Sequence, residues 1–327
     1  MKVDRRRALI CAAAAASMIV GLPALAQANF PDRPVRIVVP YPPAGPTDSL
    51  ARLLAHRLSV LWKVPVFVEN RPGAAGTIGS HNIVTARPDG YSLLFTAGAA
   101  TGSSEVLNPA GTPYRAQRDF TPLVFLGIQP TLMVVQTSMP VNDVKEFVAL
   151  ARSNPGKFNY GNSSPGSAGH FAFNMLKIVT GIDVVEIPFA GAAPANLAFA
   201  QGDVHTIMGS LLGMTPNLQT SKAKPIGVAS VERMEAFPNV ATFREQGIPV
   251  EWDTWYGMVA PANLPPDLVA KISADMLSVM DGEEVRASMN KMGIVRRLGG
   301  PERMREALRT EVENATRVAR EAKMVKQ

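Results

Sequence analysis

The chain has 327 residues, 46% hydrophobic and 18% charged, with 33 basic against 27 acidic side chains and a formal charge of +6. That length suggests about two domains of roughly 150 residues each, and the apolar share excludes a globally disordered chain. With 6% aromatics, 26 Gly and 27 Pro, the composition suits an α/β protein rich in tight turns, not a coiled coil.

Residues 1–28 read as a cleaved secretory signal peptide. Lys2 and Arg5-Arg6-Arg7 precede an apolar run from Ala8 to Leu25, and Ala26-Gln27-Ala28 supplies the small-x-small cleavage site. Gly21 and Pro23 interrupt the run, which argues against a membrane anchor of about 20 apolar residues. Arg6-Arg7 also fits a loose twin-arginine pattern, so the export route stays open. Beyond residue 28 there are 29 basic and 26 acidic residues, a net +3. No basic stripe with interleaved aromatics appears, so nucleic acid is not an expected partner. Cys11, the only cysteine, lies in the leader, so the processed chain is expected to carry no disulfide and no thiol chemistry. The product should be soluble and periplasmic.

The elements follow in chain order. Pro34–Pro40 is a β-branched run bounded by prolines and reads as a buried strand. After the turn Tyr41–Pro46, Thr47 or Asp48 caps a helix with Leu50, Leu53, Leu54 and Leu58 on one face. Strand Val64–Glu69, the Gly-rich loop Arg71–Gly76, a helix over 77–86, the turn Asp89-Gly90 and strand Tyr91–Thr96 come next. This β-loop-α order predicts a parallel sheet covered by helices. The run Leu123–Gln136, broken at Pro130, predicts a crossover between two lobes. A second set follows, with helix Val144–Ser153, strand Phe158–Gly161, helix Ala168–Thr180, strand Val184–Pro188, helix Ala195–Gln201, strand Val204–Met208 and strand Pro225–Ser230. Trp255–Ala260 returns to the first lobe, and helices Pro266–Met280, Glu283–Lys291 and Pro301–Lys323 end the chain. The expected division is residues 29–130 with 254–327 as one lobe and 131–253 as the other.

Catalytic signatures are absent: no G-x-S-x-G, no H-E-x-x-H, no phosphate loop. His56, His81, His170 and His205 are scattered and form no metal-ligand cluster. Neither a metal nor another cofactor is expected. Ser163 or Ser164 with His170 could form a nucleophile and base, but no acid partner can be placed. What recurs instead is a set of four loops rich in small residues, each joining a strand end to a helix start: Tyr41–Asp48, Ala97–Ser103, Asn162–His170 and Phe189–Pro194. In open α/β sheets such loops gather at one edge. Exposed amides and helix N-termini there make an anion site without a cationic side chain. A small carboxylate is the natural guest.

The stretches PVRIVVPYPPAGPTDSLAR, VFVENRPGAAGTIG, ARPDGYSLL, YGNSSPGSAGHFAFNML, VEIPFAGAAPANLAFAQGDV and PNVATFREQGIPVEWDTWYGMVAPANLP resemble, in order and over nearly the whole processed chain, the Bug-type receptors of tripartite tricarboxylate transporters. The resemblance implies a two-lobed, type II periplasmic-binding-protein fold with crossover strands and a small carboxylate held between the lobes by backbone amides and ordered water. It implies membrane transporter subunits as partners, no enzymatic activity and a monomer. Carried over, the first-lobe site is Tyr41, Pro43, Ala44, Gly45, Thr47 and Asp48, joined by Ala97 and Gly98. The second-lobe site is Asn162, Ser163, Ser164, Ser167 and His170, then Phe189, Ala190 and Gly191, with Ser210. Where the family commonly reads Pro-Ala-Gly-Gly, this chain places Pro43 and Ala44 at an Ala and a Gly position. Ala190 replaces a usual Lys and His205 a usual Asp, which predicts a less polar pocket. Glu69, Asn70 and Arg71 are expected to serve the fold more than the ligand. A receptor that presents its ligand to a signalling partner, and an exported Ser/His hydrolase, are the alternatives.

Overall fold

The computed structural model describes residues 30–325; the expected signal peptide, residues 1–28, lies outside them. Among the described residues, eleven strands form two sheets. They are β1 (Val35–Val39), β2 (Val66–Asn70), β3 (Ser92–Ala97), β4 (Phe120–Gln129), β5 (Leu132–Gln136), β6 (Asn159–Asn162), β7 (Val185–Pro188), β8 (Thr206–Gly209), β9 (Ala223–Val228), β10 (Thr254–Pro261) and β11 (Val295–Gly299). One sheet has the order β11-β4-β10-β3-β1-β2, the other β7-β6-β8-β5-β9. The fold is α/β and two-lobed.

The sheets are mixed, not purely parallel. β1 runs parallel to β2 and β3, and β6 parallel to β7 and β8, as their helical crossovers require. β10 is antiparallel to both β3 and β4, and β5 antiparallel to β8 and β9. The reason is the crossover. β4 leaves the first sheet, Pro130 and Thr131 turn, and β5 enters the second sheet two residues later, so each segment meets its new neighbours from the opposite direction.

Local chemistry explains most element bounds. Helix Pro46–Trp62 opens on proline, whose missing N–H costs nothing in a first turn, and closes on Lys63 in the left-handed conformation. The helix Ala168–Thr180 is capped by Ser167 and closed by Gly181 at positive φ. The helix Ala192–Gln201 begins three residues before the predicted start, because Pro194 falls in the first turn, where no donor is needed. Several elements lie outside the sequence expectation, the short helix Ala116–Asp119 among them. A π-turn, Ala99–Ser103, runs into helix Ser104–Leu107; helix Leu211–Gln219 contains Pro216; and β11 is a charged edge strand.

Each sheet has its own core. Leu50, Leu54, Leu93, Phe95, Met258 and Ile272 pack on the first, and Phe147, Tyr160, Phe171, Leu176 and Phe243 on the second. The C-terminal helix Pro301–Glu321 joins both cores. Met304 and Leu308 pack with Phe125 and Trp255 of the first lobe, and Ala315 and Val318 enter the second-lobe cluster. The lobes are therefore held by this helix as well as by the crossover strands.

Candidate functional site

A cavity of about 280 Å³ lies between the sheets. Tyr41, Thr47, Ala97 and Gly98 line it from the first lobe, Ser163, Ser167 and Ser210 from the second. Its hinge wall is Gln129, Pro130, Thr131, Trp252, Asp253, Thr254 and Tyr256, and the C-terminal helix contributes Glu311. Among the described residues, no Lys, Arg or His lines it.

Helix starts converge on this space. Pro46 and Thr47 begin one helix, Ala99 the π-turn, Ala168 and Gly169 a second helix, Ala192 a third, and Ser210 caps a fourth whose Gly213 also faces the cavity. Each N-terminus carries about half a positive charge and free amides. The Ser167 oxygen accepts the His170 amide at 3.2 Å, and the Ser210 oxygen accepts the Gly213 amide at 3.4 Å. Both hydroxyl protons remain free for a guest. The loop walls thus present dipolar donors to the cavity without a cationic side chain, while Asp253 and Glu311 line its other side.

Ten of the sequence-selected residues do not line the cavity. Asp48 is buried behind the first loop, where its carboxylate accepts the Ala44 amide at 2.9 Å, Arg52 Nε at 3.0 Å and Asn70 Nδ2 at 2.8 Å. Burial pushes its carboxyl up, but these donors outweigh burial and hold it below its ordinary range. Asp48 is a buttress of the loop. Ala44 adopts φ +70°, the conformation a glycine would take there without strain, and its amide is spent on Asp48. Pro43 and Ala44 are exposed, and Gly45 is the helix cap.

In the second lobe His170 turns away from the cavity. Its Nδ1 accepts the Gly166 amide at 3.0 Å and its Nε2 meets Glu186 Oε1 at 3.1 Å. Glu186 also accepts Asn162 Nδ2 at 2.8 Å and Asn174 Nδ2 at 3.1 Å. Burial pushes the Glu186 carboxyl up, yet His170 and the two amides bring it below its ordinary range. With both ring nitrogens engaged, His170 has no lone pair for a serine proton, which removes the geometry a Ser163 or Ser164 nucleophile requires. Asn162 fixes the loop by accepting the Ser164 amide on its side chain and the Phe189 amide on its backbone. Phe189 packs with Val204 and Ile207, Ala190 is exposed, and Gly191 caps the next helix at φ +129°.

His205 also lies elsewhere. Its Nδ1 accepts the Asn159 amide at the entry of β6, and burial pushes it down, towards the neutral form. Its replacement of an Asp therefore does not alter cavity polarity. Arg71 pairs with Glu69, Nε to Oε1 at 2.7 Å, and Arg36 binds the other oxygen at 2.8 Å. That trio supports the loop and does not enter the cavity.

Sequence reading missed Gln129, Asn196, Asp253, Tyr256 and Glu311. Tyr256 donates to Gln129 Oε1 at 3.0 Å, and Gln129 Nε2 donates to the Met292 carbonyl at 2.7 Å, which ties the hinge to the first lobe. Glu311 accepts the Ser103 hydroxyl on one oxygen and Trp255 Nε1 on the other at 3.3 Å, and burial pushes its carboxyl up to about 6.

The chain matches the family described as "Tripartite tricarboxylate transporter family receptor" over residues 50–321. It is 30% identical over 288 residues to a Pseudomonas sp. protein of the tcbD-tcbE intergenic region, covering 87% of this chain and 84% of that one. An R. palustris protein solved with adipate superposes with a TM-score of 0.78 at 28% identity, covering 90% of this chain and 98% of that one. MatC from Rhodopseudomonas palustris, with bound malate, gives 0.74 at 29% identity, covering 88% and 99%. The chain thus belongs to the tripartite tricarboxylate transporter receptor family of periplasmic solute-binding proteins, the Bug-type receptors that its sequence motifs resemble.

Proposed function

We propose that this receptor captures a small carboxylate in the interlobe cavity and delivers it to the membrane subunits of a tripartite transporter. The observation that carries the reading is the convergence of helix N-termini and free serine hydroxyls on one cavity without a cationic side chain. Dipolar donors bind a carboxylate strongly enough to select it, yet leave no ion pair to break on release. The relatives solved with adipate and malate support the same ligand class. The chain acts outside the cytoplasm as a monomer after loss of residues 1–28. Its lobes are residues 29–130 with 254–327, and 131–253. The binding set is Tyr41, Thr47, Ala97, Gly98, Ser163, Ser167 and Ser210, with the other loop residues supporting it.

The test is a thermal-shift screen of carboxylates followed by calorimetry on Ser167→Leu and Ser167→Thr. A true ligand at a hundredfold excess over its Kd stabilises the protein by about 2.7 kcal/mol. The leucine variant loses a donor to a charged group, about 1.5–3 kcal/mol, so its affinity falls roughly ten- to a hundredfold. The threonine variant keeps both hydroxyl and helix cap and retains binding. Unchanged affinity in the leucine variant would remove Ser167 from the site.

A further inference from the structure

The two acids that line the cavity are bonded unlike the acids that brace its loops. Asp48 meets Arg52 and Asn70, and Glu186 meets Asn162 and Asn174. Guanidinium and amide nitrogens donate and cannot accept, so they serve only the charged carboxylate. Glu311 and Asp253 each meet a serine instead. Ser103 donates its hydroxyl to Glu311 Oε1, and Ser230 donates to Asp253 Oδ2 at 2.9 Å. A hydroxyl carries lone pairs as well as a proton, so by turning about its C–O bond it can accept from the neutral acid as it donates to the charged one. Each lining acid can thus gain a proton and keep its partner.

Glu311 is the acid placed to feel a bound anion. Its carboxyl lies against Gly98, where a Cβ would come within 2.9 Å of it, and Gly98 and Ala99 belong to the first-lobe lining. Trp255 Nε1 donates to its second oxygen at 3.3 Å. Among the described residues no charged group acts on it, and burial pushes it up to about 6. The other titratable groups of the lining are Tyr41 and Tyr256, which burial pushes up and keeps neutral, and Asp253. Burial pushes Asp253 up to about 7 and Glu251 adds to the push, while Arg297 and the Thr131 amide favour its charge. Arg297 is itself paired with Glu232 at 2.6 Å. A carboxylate on the loop donors therefore sets a negative charge near Glu311 with no cation in the lining to offset it. A like charge in a partly dry site disfavours ionisation, and a proton on Glu311 removes the repulsion.

We infer that the cavity is a joint site for a carboxylate and a proton, the proton passing from solvent to the Glu311 carboxyl as the ligand binds. This rests on the carboxylate reading above and adds a second ligand to it.

The test is calorimetry with succinate, malate and glutarate at about pH 7, where their carboxyls are ionised, in Bis-Tris, imidazole and Tris. These buffers carry no negative charge to compete for the site, and they differ in ionisation heat. The slope of the binding enthalpy against that heat counts the protons taken up. The expected uptake is about half a proton or more per ligand, and by linkage affinity tightens about tenfold or more from about pH 8.5 to about pH 6.5. Glu311→Gln puts a permanently neutral group of the same shape in place of the acid. It takes up less than about half as many protons as the unaltered protein and binds about tenfold or more tightly at about pH 8.5. A merely structural Glu311 would give weaker binding in that variant at every pH. The uptake and pH slope of the unaltered protein are read without any variant. Binding without proton uptake overturns the proposal and leaves the carboxylate reading standing. Uptake that persists in Glu311→Gln and is lost in Asp253→Asn does the same. If none of the three ligands binds, the carboxylate reading falls, and the proposal falls with it.

Discussion

Two kinds of buried carboxyl give this protein a two-sided response to pH. Glu186 is held below its ordinary 4.5 by His170, Asn162 and Asn174 against the push of burial. A depressed carboxyl stabilises the fold above its unfolded value, and that stability is lost as pH falls through the folded one. Glu311 is the reverse case. Burial raises it from 4.5 to about 6, so the protonated form suits the fold and stability is lost as pH rises between those values. The shift corresponds to about 2 kcal/mol. Asp253, which burial raises from 3.8 to about 7, adds a loss of the same sign, so the melting temperature should decline from about pH 5 towards neutrality and Glu311→Gln should remove the part of that decline that falls between about pH 4.5 and 6. Glutamine preserves the local bonds, because its amide nitrogen can donate to Ser103 Oγ while its oxygen accepts from Trp255. A variant whose stability falls with pH as steeply as the parent would assign the decline to other groups. Glu311 was also findable in the sequence. Met304, Leu308, Glu311, Ala315 and Val318 repeat at alternating steps of four and three, which is the buried stripe of a helix. A carboxylate on that stripe is out of place unless something uses it. Asp253 gave no such signal, since its hydrogen-bond partners Ser230 and Thr131 are distant in sequence and are brought to it only by the two crossovers.

The C-terminal helix and the loop after β3 are fitted to each other through glycine. A Cβ on Gly102 would lie 2.5 Å from Glu311 Cγ, and one on Gly98 would lie 2.7 Å from Trp255 Nε1 and 2.9 Å from the Glu311 carboxyl. Only a bare backbone lets the π-turn rest on the helix, and that contact sets how Gly98 and Ala99 face the cavity. Gly102→Ala must displace the helix or the turn. Overpacking of this kind costs about 1–3 kcal/mol, and ligand affinity should fall with it because the donors of the turn move. Normal stability and affinity in that variant would mean that the contact yields cheaply. The same loop marks a limit of sequence reading. AATGSSEVL has no apolar stripe, and Thr101-Gly102-Ser103-Ser104 at its centre are poor helix formers, so it reads as coil; the buried hydrogen bonds Ser80 Oγ to the Ala100 carbonyl and Thr112 Oγ1 to the Ser104 carbonyl come from elsewhere in the chain. Helix Leu211–Gln219 is short and broken by Pro216, so propensity argued against it, although Ser210 is a good cap. By contrast, helices Ala168–Thr180 and Glu283–Lys291 match their predicted bounds, because local caps and periodicity decide them. The gathering of loops at one sheet edge was equally legible, since it follows from β-loop-α order; which loop atoms face the cavity was not, since Asp48 and His170 chose partners behind it.

At the scale of the whole molecule, three connections span the lobes: the turn at Pro130, the return through Trp252 and Asp253, and the helix Pro301–Glu321. Strand crossovers act as hinges, because a few backbone torsions absorb a rotation. A helix does not bend so easily, and its contacts on the second lobe therefore limit how far the cavity opens. Val318 is fully buried there. Val318→Ala removes apolar contact worth about 1–3 kcal/mol without touching the cavity lining. Freed from part of that restraint, the unliganded protein should populate wider states, and small-angle scattering should show a larger radius of gyration than the parent. A ligand that contacts both lobes favours the closed form by its differential affinity for it, so the saturated variant should return to the parent's liganded radius. Because a smaller fraction of the free variant is competent to bind, its apparent affinity should drop in proportion. The two readings are coupled: expansion without weaker binding would mean that closure is not required for tight binding, and weaker binding without expansion would mean that Val318 acts through local packing of the second lobe and not through the restraint on opening.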